Sequence, residues 1–80
     1  MLLISKESKL SPAKALEEAV KFFGPGGAGL TLTEQTESGV NFEGGGGFVA
    51  VRVCAKGKGS EVEVETREWE YQVKQFLGKI

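Results

Sequence analysis

Histidine and aspartate are absent from this 80-residue chain, and cysteine, tryptophan and tyrosine occur once each. Each shortage removes a class of function. Without histidine the commonest general base and metal ligand is missing. A zinc site would have to be built from Cys54 and carboxylates, a poor tetrahedral set. Cys54 has no cysteine partner for an internal disulfide, and as a nucleophile it has no histidine base, with Lys56 a weak substitute. No apolar run approaches the roughly 20 residues of a membrane span. Met1-Leu2-Leu3-Ile4, followed directly by Lys6-Glu7, is too short for the apolar segment of an export signal. A single thiol without an export signal fits a reducing cytoplasm. An excess of charge is lacking as well: 10 basic and 11 acidic residues leave a net charge of −1, so no broad field favours nucleic acid or an anionic membrane. The expectation is a single non-catalytic domain, 1–80, with no metal, no cofactor, no nucleic-acid partner and no membrane partner.

What is present is a strong β-hairpin pattern. Phe48–Cys54 and Glu61–Thr66 alternate with period 2, placing Val49, Val51 and Val53 on one face and Val62 and Val64 on one face. Joining them through the Gly/Lys turn pairs Val51 with Val64, Val53 with Val62, and Arg52 with Glu63 on the opposite face. A slip of one residue would turn every valine to water, so the pattern sets the register. Upstream, a two-residue turn at Gly45-Gly46 pairs Phe42 with Val49 and Val40 with Val51, again with both partners on the apolar face. Leu30 and Leu32 alternate with Thr31 and Thr33 in a further strand ending near Glu34, and the turn after it, Glu37-Ser38-Gly39, calls for positive φ at Gly39. Leu2 to Ser8 reads as a short strand, with Leu2 and Ile4 facing in.

Two helices complete the chain. Ser11 is a suitable N-cap and Pro12 a suitable first residue. Leu16, Ala19, Val20 and Phe23 form one apolar stripe, with Lys14–Glu18 and Glu17–Lys21 at ion-pair spacing, and Gly24-Pro25 stops the helix. Arg67 to Ile80 carries Trp69, Val73, Phe76 and Ile80 on a second stripe, with Tyr71 at the flank. Trp69, the largest apolar group, is expected to cover the sheet near Val51 and Val64. The order is β-α-β-β-β-β-α: an α+β two-layer sandwich, one antiparallel sheet with both helices on one face.

That order, with the Leu2–Ser8 strand entering a helix at Ser11-Pro12-Ala13 and the Glu61–Ile80 strand-plus-helix closing the chain, resembles the TATA-binding-protein-like and helix-grip group. The latter comprises START, polyketide cyclase and birch-pollen-allergen-like domains. The resemblance implies a sheet gripping a long C-terminal helix. It also implies a small apolar ligand in a slot between sheet and helix, lined by Leu16, Phe23, Trp69 and Phe76.

Other candidate sites weigh less. Gly24-Pro25-Gly26-Gly27-Ala28-Gly29 matches G-x-G-x-x-G, but a dinucleotide loop joins a strand to a helix N-terminus, and here a helix precedes. Gly44–Gly47 lacks the Lys-Ser/Thr of a phosphate loop. Glu43, Glu61, Glu63 and Glu65 share an open strand face where carboxylates are ordinarily solvated. On that same face Phe48, Ala50, Arg52 and Cys54 form a mixed strip. A chain this short buries only about 60% of its unfolded surface, and oligomerisation is a common further support. The strip is therefore read as a self-association surface, and a homodimer as the expected partner state.

Overall fold

Alternation and capping act as expected over most of the chain. The computed structural model describes residues 2–80; Met1, part of the export-signal argument, lies outside them. The elements are β1 (Leu2–Ser8), α1 (Pro12–Phe23), β2 (Thr31–Gln35), β3 (Gly39–Gly44), β4 (Gly47–Lys56), β5 (Gly59–Arg67) and α2 (Glu70–Lys79). The strands form one antiparallel sheet in the order β1-β5-β4-β3-β2.

The valine register is as the alternation demands. Val51 pairs with Val64, Val53 with Val62 and Arg52 with Glu63, while Phe42 pairs with Val49 and Val40 with Val51. All of these apolar partners are buried in one core with Ala15, Leu16, Ala19 and Phe23 of α1 and Val73, Phe76 and Leu77 of α2. Both helices therefore lie on the valine face. α1 packs across β3, β4 and β5, and α2 against β5. Ser11 caps α1, its side chain accepting from the Lys14 amide at 3.3 Å.

Polar groups tie the ends of the layers together. Lys6, facing the helices, donates to the Leu77 carbonyl, and the Ser8 hydroxyl donates to that of Ile80 at 2.9 Å. The last carbonyls of a helix have no intrahelical partner, so β1 supplies donors to the C-terminal end of α2. The Ser60 hydroxyl donates to the Leu10 carbonyl at 2.8 Å, and the Thr66 hydroxyl to that of Phe48 at 2.7 Å.

Four local expectations are corrected. The last helix begins at Glu70 instead of Arg67, because β5 runs on through Arg67 and Glu68 turns the chain with φ 75°. Trp69 consequently sits at the N-cap and not over Val51 and Val64. Its indole lies against Gly45, and its Nε1 donates to the Gly44 carbonyl at 2.8 Å. The turn before β3 is closed by Thr36, whose amide donates to the Gly39 carbonyl at 2.8 Å. Gly39 is an ordinary strand residue, outside the positive-φ set of Gly29, Gly45, Gly46 and Gly57. On α1, Lys14 pairs with Glu17 at 3.8 Å instead of with Glu18, and Glu17 also meets Lys21 at 3.5 Å.

Candidate functional site

The outer sheet face carries no helix, and its side chains divide into two halves. At the β4–β5 turn end, Lys56 reaches Glu7 at 2.8 Å and Glu61 at 3.6 Å, and Arg52 holds Glu63 at 2.7 Å and lies 3.9 Å from Glu65. Of the four glutamates that the alternation puts on this face, Glu61, Glu63 and Glu65 are thus each within reach of a cation. The Lys56 ammonium, hydrogen-bonded to Glu7, holds that carboxyl below its ordinary pKa, and Glu7 raises Lys56 in return. Among the described residues no group of three His, Cys, Asp or Glu side chains is placed to hold a metal ion. At the other end, Phe48 and Ala50 are half-buried. Leu3, which pairs with Glu65, adds a 61% exposed leucine.

The strip read from sequence is therefore split. Phe48 and Ala50 lie in the apolar half. Arg52 is engaged in ion pairs, and Cys54 is an exposed thiol on the strand opposite Glu61. Leu3 was the missing member. Its exposure follows from β1 lying at the sheet edge beside β5, a pairing that local alternation does not reveal.

The glycine-rich stretches are structural. In Gly24–Gly29 the amides of Gly24, Gly27, Ala28 and Gly29 donate to the carbonyls of Val20, Gly24, Phe22 and Gly24, each at 2.9 Å. Amides so occupied are not free to cradle a phosphate. In Gly44–Gly47 the turn residues Gly45 and Gly46 have φ 59° and 81°, as a two-residue hairpin turn requires.

The residues expected to line a ligand slot do not enclose one. Leu16, Phe23 and Phe76 are packed into the core, with the Phe23 and Phe76 ring centroids 5.2 Å apart and those of Phe23 and Phe42 5.7 Å apart. Their own side chains fill the space between sheet and helices, while Trp69 stands at the β3–β4 turn.

A surface that the sequence reading passed over lies at the opposite sheet edge. All five β2 residues are exposed, because neither helix is spread over that strand as α1 is over β3, β4 and β5. Beside it runs a groove of about 640 Å³ lined by Ala13, Leu16, Glu17, Val20 and Lys21 of α1 and by Gln35, Thr36 and Glu37. β2 also carries a bulge between Leu32 and Glu34. Alternation across Leu30-Thr31-Leu32-Thr33 gives no sign of it.

Comparison of the chain with protein-family models, curated proteins and solved structures found no match.

Proposed function

We propose that this chain is a small non-catalytic interaction domain that self-associates through its sheet, with a homodimer as the working form. The observation that carries this reading is the mismatch between layers: five strands lie under two short helices, leaving the outer face and the whole of β2 in water. A domain of this size gains little net stability from its own core, so further burial against a second copy is the natural complement. Support comes also from the side chains that catalysis would need. The glutamates are spread along a ladder of ion pairs, and the one thiol has no basic partner better than lysine. The topological resemblance to TATA-binding-protein-like and helix-grip domains agrees with a binding role, in a reducing cytoplasm where Cys54 stays a thiol.

The test is solution mass against concentration, by light scattering coupled to size exclusion. The expected result is a mass rising from one chain toward two across the micromolar range. A mass fixed at one chain up to the highest concentration reached would refute the proposal.

A further inference from the structure

We infer that two copies join edge to edge through β2, each inserting Leu32 into the groove beside the other's α1. This rests on the self-association reading and names its surface. Three uncovered surfaces compete for that role. A face-to-face contact would have to desolvate the Arg52–Glu63 and Lys56–Glu7 pairs, where the β2 groove meets only the exposed Glu17–Lys21 pair, and stripping water from ion pairs offsets much of the apolar gain. The β1 edge carries Lys6 on its inner side, already bonded to the Leu77 carbonyl, and inward-pointing charge is a device that blunts edges. β2 has no inward charge, and its brevity and bulge, which also blunt an edge, keep the contact weak.

The geometry of β2 matches itself. Leu32 lies opposite Phe42 and Gln35 opposite Val40, and both partners belong to the core face. In a regular strand, residues three apart point to opposite faces. The bulge at Thr33 instead turns Leu32 and Gln35 to the same inner side. Place a two-fold axis between Thr33 and Glu34 and pair β2 antiparallel with a second β2. Leu32 then stands opposite the second copy's Gln35, and Gln35 opposite its Leu32. Gln35 lines the groove together with Leu16 and Val20, beside the exposed Glu17–Lys21 pair, so Leu32, 37% exposed in the single chain, is delivered into it. The contact occurs twice by symmetry and closes on itself, which limits the assembly to two chains. The five strands of each copy become one ten-stranded sheet, with both α1 helices on the same side.

The contact is small. A five-residue strand is about 17 Å long, and with one helix flank the buried area falls below the roughly 1,200 Å² of a standard interface. The dimer should therefore populate at micromolar and not nanomolar concentration.

Three variants test this. Leu32→Asp, kept only if circular dichroism shows a native fold, should weaken dimerisation by roughly tenfold or more, as loss of a central anchor does. In a Cys54→Ser background, Leu32→Cys with Gln35→Cys should give a covalent dimer under oxidised glutathione, since directly opposed strand residues meet disulfide geometry. The second variant decides the matter if the first fails to fold. A wild-type dimer that Leu32→Asp leaves intact, or a Leu32→Cys/Gln35→Cys chain that yields no covalent dimer, would overturn the β2 register while leaving self-association standing. A wild-type chain that is monomeric throughout would overturn both. A dimer lost in Leu3→Lys but unaffected by Leu32→Asp would move the contact to the outer face.

Discussion

Four consecutive glycines are costly in chain entropy, and at Gly44–Gly47 each has its own reason. A Cβ at Gly44 would lie 2.6 Å from the Leu30 side chain, and one at Gly45 2.9 Å from the Trp69 ring. At Gly47 it would collide with the Arg67 carbonyl oxygen, a backbone atom that cannot step aside. Gly46 has open space around it and needs glycine only for its φ of 81°. Alanine at Gly46 should therefore cost about 1 kcal/mol. Alanine at Gly47 should cost more, about 2–3 kcal/mol, as backbone overpacking does. Urea midpoints of the two variants at unchanged m-value measure the difference, and equal losses would contradict this account of the turn. The Glu7–Lys56 pair gives a second expectation. The carboxyl is depressed and the ammonium raised in the folded chain. Glu7 therefore adds stability that is present above the ordinary carboxylate pKa and fades as pH falls below about 4.5. Lys56 adds stability that is present below the ordinary lysine pKa and fades above about 10.5. Both groups are solvent-exposed, so the effect is small and salt-sensitive. Melting temperature against pH for Glu7→Gln should be flatter than wild type at both ends, and the difference should shrink in high salt.

Elements were legible in sequence where side-chain pattern and backbone chemistry agree. Val49, Val51, Val53, Val62 and Val64 specify register because any slip exposes them all, and Ser11-Pro12 with Gly24-Pro25 brackets α1 because caps act locally. Legibility ended where the deciding contact is distant. The start of α2 is set by how far β5 stays paired with β4, since Arg67 still pairs with Phe48, and periodicity alone reads through that boundary. The β2 bulge and the groove beside it depend on where α1 comes to rest, which no pattern within β2 encodes. The seat of α2 was hidden for the same reason: nothing local to the Leu2–Ser8 strand shows that Lys6 and Ser8 donate to Leu77 and Ile80. Lys6→Met with Ser8→Ala should keep the sheet and release the last turn of α2. Amide hydrogen exchange at Phe76–Ile80 is then expected to accelerate by roughly tenfold, the equivalent of about 1.4 kcal/mol, while the amides of β4 keep their protection.

For the molecule as a whole, the pairing of β1 with β5 is the long-range closure. Leu2 pairs with Thr66 and Ser8 with Ser60, so this ladder joins the two ends of the chain, whereas β3, β4 and β5 are linked by tight turns. Loop-closure entropy makes such a pairing late and slow relative to the hairpins. Its completion also settles α2, which packs against β5 and takes its C-terminal donors from β1. β1 should then be indispensable despite its exposed side chains. Without residues 1–8, β5 becomes an uncovered edge, Ile4 no longer packs on the core, and two carbonyls at the end of α2 lose their donors. A domain with only about 4–12 kcal/mol to lose should not survive that together with the loss of a whole ladder. The chain 9–80 is expected to show no cooperative thermal transition by circular dichroism, and a synthetic peptide of residues 1–8 added in excess should restore one. A sharp melt of the shortened chain alone would mean that the β3–β4–β5 meander and α1 hold the fold, with β1 reduced to an edge cover.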